Sequence, residues 1–331
     1  MKSIKLIIIL FSLTFLLFAC TGKKSIDNLN EEDKIAMLDA KIKKNPRDAD
    51  LYFARSKAFF EGHKHKEALI DIKNAINIDN KNADYYIFEA DILFANNEIS
   101  LAFTALQNAI RINGKSINAY LKSAELSLYL RDYDKVNFNI NQVLMLDKLN
   151  AKAYFIKGYA LKETGDTLKA VESYRKAIEL KSDYGEAFEE LGLLYSLKGD
   201  PIAIEYFNSA LNINPKNVQV MYALGLFYQQ HGNYQKALDI YKQVLDLNPN
   251  HAVTLNSVGY INMSEKKDYS NALDCFTKAI IIDSAYVLAW SNRGETYEHI
   301  GDKNKAREDY ERVLKLDPEN TFAKEHLHKL K

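Results

Sequence analysis

The stretch Val287 to Asn320 reads VLAWSNRGETYEHIGDKNKAREDYERVLKLDPEN. Its first half places Trp290, Gly294 and Tyr297 at successive steps of four and three residues, which is one face of a helix. Its second half places Ala306 and Tyr310 four apart, which again fits one helical face. Gly301 falls between the halves, where a left-handed residue closes a helix at little cost. Pro318 follows the second half, and a helix cannot run through it without losing a hydrogen bond. The stretch is therefore two helices joined by a short turn.

The same pattern recurs upstream. Pro215 and Pro249 are 34 residues apart, and Pro318 lies 69 beyond Pro249. Tyr52, Tyr86, Tyr120, Tyr154, Phe188, Met221, Leu255 and Trp290 keep this beat, each followed four residues later by Ser56, Ala90, Ala124, Gly158, Gly192, Gly225, Gly259 or Gly294. A second small series runs Ala68, Ala102, Val136, Ala170, Ala203, Ala237, Ala272 and Ala306. Four residues after each member stands a large one: Ile72, Leu106, Ile140, Tyr174, Phe207, Tyr241, Phe276 or Tyr310. Large residues of one helix are expected to fill notches left by the small residues of its neighbour. One such hairpin cannot bury its apolar face, so the units must stack.

This pattern resembles the tetratricopeptide repeat. Eight units are expected, at 49–82, 83–116, 117–150, 151–184, 185–217, 218–251, 252–286 and 287–320. An N-terminal flanking helix is expected within 31–46 and a C-terminal capping helix within 321–331. The resemblance implies an all-α, right-handed superhelical solenoid whose concave groove is walled by the first helix of each unit. It also implies that this groove binds a protein or peptide ligand. The inward face is offset from the buried one and offers Phe53, Lys57, Phe60, Ile87, Asp91, Phe94, Leu121, Glu125, Leu128, Phe155, Tyr159, Tyr222 and Tyr260. The apolar members of this set could instead pack against the neighbouring first helix. Chaperone-binding relatives grip a C-terminal carboxylate with Lys and Asn, and the matching pairs here, Phe53 with Lys57 and Ile87 with Asp91, do not support that mode.

The first residues read as an address. Lys2 and Lys5 precede an uncharged run from Leu6 to Phe18, too short to span a bilayer but fit for a secretory signal. Leu17-Phe18-Ala19-Cys20 resembles the lipobox of bacterial lipoproteins, which implies a signal peptide at 1–19 and acylation of Cys20. The polar segment 20–30 then reads as a tether with a reach of about 17 Å. By the same resemblance, the absence of Asp after Cys20 favours the outer membrane, with the domain facing the periplasm.

Composition closes other routes. Thirteen Gly and five Pro among 331 residues is about half of average usage, which favours helices over loop-rich folds. Lys+Arg and Asp+Glu are 44 each, a balance that argues against tracking of nucleic acid. Removing the signal leaves 42 basic against 44 acidic side chains, and with Cys20 acylated only Cys275 remains as a possible free thiol, expected to be half-buried and structural. Gly114-Lys115-Ser116 lacks the first glycine and the strand of a phosphate loop. Ser264 to Lys267 lacks the companion motifs of a serine–lysine enzyme. His63 with His65, and His326 with His328, are two apart and share no helix face for a metal. The expectation is a non-catalytic scaffold without cofactor or metal. Glycan or peptidoglycan binding through Tyr159, Tyr222 and Tyr260 is the alternative.

Overall fold

The computed structural model describes residues 30–330, and the expected signal peptide, Cys20 and all but the last residue of the tether lie outside them. Eighteen helices and no strand occur among the described residues. Helix α1 (Glu31–Lys44) leads into α2 (Ala49–Glu61) and α3 (His65–Ile78), then α4 (Ala83–Ala95) and α5 (Ile99–Ile112), then α6 (Ile117–Tyr129) and α7 (Tyr133–Leu146). Next come α8 (Ala151–Glu163) and α9 (Thr167–Leu180), α10 (Gly185–Ser196) and α11 (Ile202–Ile213), and α12 (Val218–Gln230) and α13 (Tyr234–Leu247). The last pairs are α14 (Ala252–Ser264) with α15 (Tyr269–Ile282) and α16 (Val287–His299) with α17 (Lys303–Leu316), followed by α18 (Thr321–Lys329). Compact packing divides the chain after Ser123, within α6, into a first and a second unit.

The notch is the packing rule of each hairpin. A Cβ built on Gly225 would stand 2.6 Å from the Tyr241 ring, and one on Gly158 2.8 Å from the Tyr174 ring. Gly192 faces Phe207, Gly259 faces Phe276 and Gly294 faces Tyr310 in the same way, each too close for a methyl group. All five rings are fully buried. The first three hairpins carry Ser56, Ala90 and Ala124 at the notch, and there the large partner is the aliphatic Ile72, Leu106 or Ile140. The chain thus exchanges volume across the contact: ring against glycine, branched aliphatic against Ala or Ser. Ser56 also donates its hydroxyl to the Ala68 carbonyl at 2.6 Å, which satisfies the polar group inside the first hairpin.

Turns are repeated as faithfully as the notches. After α8, Gly165 adopts φ +88, its N–H reaches the Lys162 carbonyl, and Asp166 N–H reaches Leu161. The first three hairpins make the same turn without glycine, placing His63, Asn97 and Arg131 at φ 58, 63 and 57. Between hairpins, except after α9 where Lys181 stands, an Asn or Asp ends the second helix and its carboxyl or amide oxygen accepts from the N–H two residues on. Asp79 to Lys81, Asn113 to Lys115 and Asp283 to Ala285 are examples, at 3.0, 3.1 and 2.9 Å. This extended residue is also what a following proline demands, as at Asn214, where φ is −126 and ψ 87. Leading aromatics then pin the turn behind them: Tyr52 donates to the Pro46 carbonyl and Trp290 to that of Ser284, at 3.3 and 3.1 Å. The short fifth repeat keeps its notch by shortening α10 and α11 to 12 residues each. The long seventh repeat places its extra residue in the turn 265–268, with Lys267 at φ 55.

Two outcomes test this account. Gly225→Ala should cost about 1–3 kcal/mol by overpacking, and its combination with Tyr241→Leu should cost less than the sum of the two single changes. Urea unfolding followed by circular dichroism reads the difference, and strict additivity would count against the notch. Arg131→Gly should stabilise by about 0.5–1 kcal/mol, the left-handed strain less the entropy of glycine, seen as a higher urea midpoint.

Candidate functional site

Successive first helices of the second unit touch one another, α10 with α12 and α14 with α16. Polar bonds link neighbours along this wall. Lys152 pairs with Glu125 at 2.6 Å and Lys162 with Glu190 at 2.8 Å. Asn217 donates to Glu189 at 3.1 Å, Tyr222 bonds Ser257 at 3.4 Å, and Asn292 donates to Asn256 at 2.9 Å. His326 of α18 meets Glu298 of α16 at 2.9 Å and Tyr310 at 3.2 Å.

Two cavities open on this wall. The first has a volume of about 690 Å³ and lies among α6, α8 and the start of α10. Leu128, Phe155, Ile156, Tyr159 and Tyr184 form its apolar lining, with Glu125, Lys152, Lys181 and Glu186 at the polar positions. Phe155 sits 4.9 Å from Tyr184 and 5.7 Å from Tyr174 by ring centroids. The second cavity, about 680 Å³, lies among α8, α10 and α12, with Leu193, Leu197, Leu226 and Phe227 against Lys162, Glu163 and Glu190. Both volumes fall in the range of ligand sites.

Burial tunes the ionisable groups here. The Tyr184 hydroxyl is pushed up to about 12 by burial, helped by the charges of Glu186 and Glu125, so it stays protonated and can donate. Burial likewise raises the Glu189 carboxyl; the Asn217 hydrogen bond opposes this, while Glu190 and Glu186 add to it. Cys275 is half-buried and its thiol is pushed up to about 11 by burial, so it is not a thiolate at neutral pH.

The expected groove residues meet different fates. Glu125, Leu128, Phe155 and Tyr159 are brought together in the first cavity. Ile87 and Leu121 are not on an open face: they are 3% and 8% exposed, packed inside the array, so the packing alternative is the correct one for them. Phe53 and Phe60 are half-buried because both close on Phe88, at 5.6 and 5.5 Å, and Phe53 also meets Tyr85 at 4.9 Å. Lys57 lies over the Phe53 ring at 3.9 Å, and Asp91 pairs with Lys122 at 2.5 Å. Phe94 and Tyr260 are exposed, at 43% and 40%. Tyr222 is covered by Tyr241 and His251, at 5.8 and 5.6 Å.

Several wall residues were missed by the sequence reading. Lys152 and Glu186 stand two residues before the leading aromatic or its equivalent, which by helical spacing shares a face with the positions already chosen. Extending the stripe one turn backwards finds them. Lys181 and Tyr184 come from the turn before α10, which no helical period reaches. Gly114, Lys115 and Ser264 lie at turns or helix ends, and the described residues contain no group of three metal-ligating side chains.

Comparison with known proteins identifies the unit. Tetratricopeptide-repeat family models match residues 287–320 and 218–251, and a TPR repeat model matches 158–199. A BBSome complex member, BBS4 of Bos taurus, is 31% identical over 46% of this chain and 29% of its own length. A TPR repeat-containing protein of Methanocaldococcus jannaschii is 25% identical over 59% of this chain and 43% of its own. The chain thus spans less than half the length of these curated relatives. Among solved structures, the C-terminal part of a TPR repeat-containing protein from Cytophaga hutchinsonii aligns with a TM-score of 0.59 at 23% identity, covering 73% of this chain and 99% of that one. The Cut9–Hcn1 tetramer of the APC/C aligns with 0.57 at 16% identity, covering 90% of this chain and 58% of that one. Both are likenesses of fold. The chain carries tetratricopeptide repeats, and its stacked hairpins have their all-helical fold.

Proposed function

We propose that this protein is a membrane-anchored, non-catalytic scaffold that binds partner proteins or peptides on the wall of its first helices. The observation that carries the reading is the pair of cavities in the second unit, where aromatic and aliphatic side chains alternate with ionic ones. Tetratricopeptide repeats generally mediate protein–protein interaction, and one similar protein is by name a member of a multiprotein complex. An elongated peptide laid across α6 to α12 would meet both cavities and seat two apolar side chains.

The anchor rests on sequence. The apolar run Leu6 to Phe18 and the string Leu17-Phe18-Ala19-Cys20 support a lipidated Cys20, while no helix among the described residues is long and apolar enough to cross a membrane. Acyl chains at Cys20 would hold the array at the bacterial envelope, at the periplasmic face of the outer membrane. Confinement to a surface raises the effective concentration of a partner in the same envelope. An adaptor for an envelope assembly or secretion machine fits both features. The glycan alternative has less support, because Tyr222 is stacked on Tyr241 and hydrogen-bonded to Ser257 rather than open to a sugar face.

Each half of the proposal has its own test. Cys20→Ser should leave unprocessed precursor and abolish incorporation of labelled palmitate, and undiminished labelling would refute the anchor. Phe155→Ala with Tyr159→Ala should lower co-purification of envelope partners at least about tenfold, as expected for loss of an aromatic anchor. Helicity by circular dichroism should be retained, and unchanged capture would move binding away from the first cavity.

A further inference from the structure

The reading above leaves the chemistry of the partner open, and the charges on the wall bear on it. The lysines that line the two cavities are Lys152, Lys162 and Lys181. Each has a carboxylate within ion-pair distance: Lys152 has Glu125, Lys162 has Glu190, and Lys181 has Asp183 at 4.0 Å. The acids outnumber them. Glu186 lines the first cavity and Glu163 the second, while Glu189 stands on the same face of α10 between them, three residues after Glu186. Further along, α12 and α14 contribute no lysine or arginine, and on α16 Arg293 is paired with Asp309 while Glu298 meets His326.

Apolar lining and excess carboxylate act together. We infer, on the basis of the groove reading, that this wall selects a basic peptide, one with large apolar side chains for the two cavities and lysine or arginine between them for Glu186 and Glu189. The cavities supply burial of the anchors, which is the larger part of affinity. The acids supply selection, because an acidic peptide of the same shape would bring like charges onto a partly desolvated face. Glu189 reports that cost in the free protein: burial and its neighbours Glu190 and Glu186 hold its carboxyl above the usual range, and a cation beside it would relieve the strain. The lysines already committed to carboxylates do not offset this preference.

The test uses the full chain and fluorescein-labelled short peptides with Phe and Leu anchors at varied spacing, in lysine-rich, serine-rich and glutamate-rich versions. Fluorescence anisotropy should rank them in that order, with about tenfold between the extremes at low salt and a smaller gap at high salt. Glu186→Gln with Glu189→Gln should narrow the gap several-fold while leaving the serine-rich version unchanged. Phe155→Ala should weaken all three versions. Equal binding of the lysine-rich and glutamate-rich versions, or a reversed order, would overturn the basic-peptide inference and leave the groove reading standing. Binding of none of them would overturn both.

Discussion

Everything in this chain depends on how closely two antiparallel helices approach, and that distance is set where a large side chain enters a notch. In the last five hairpins the notch is a glycine with no room for a methyl group beside a buried ring. In the first three it is Ser or Ala, and the opposing residue shrinks to Ile or Leu. The invariant is the summed volume, since interiors are packed to crystal-like density and feel one methylene either way. A repeat can therefore lose its characteristic glycine and keep its geometry, provided its partner changes too.

Close approach within hairpins brings the first helices side by side, and the turns keep the register. Inter-hairpin turns close through an Asn or Asp accepting from the N–H two residues later, and through leading aromatics that tie to the turn behind them. The wall that results in the second unit is held by one polar bond after another, from Glu125–Lys152 to Glu298–His326. Cavities remain where the wall residues do not meet across the step, around Phe155 and around Leu193. A rigid wall with gaps of this size is suited to receiving side chains from an extended segment.

The fold was legible in the sequence because its determinants are periodic. Both series of notch residues, the glycine turn and the proline phase could be read without coordinates. Less was legible of the wall, for three physical reasons. Ile87 and Leu121 sit at the edge of the buried stripe, where a small rotation of the helix decides between groove and core. Phe53 and Phe60 could be read either as groove or as packing, and each finds Phe88 from the next first helix, a contact between hairpins that no local pattern decides. Tyr184 and Lys181 enter the first cavity from a turn, outside any helical period. Positive φ at Arg131 was equally silent, because arginine carries no mark of a left-handed turn, whereas His63 and Asn97 are residue types that tolerate it.

The central claim is that partners are held on the first-helix wall rather than on the outer helices. Site-specific photocrosslinking in intact envelopes addresses it directly, with a benzophenone amino acid placed at Leu193 in the second cavity or at Leu168, an exposed residue of α9. The account predicts discrete crosslinked products from position 193 and none above background from position 168. Products from 168 with none from 193 would contradict it.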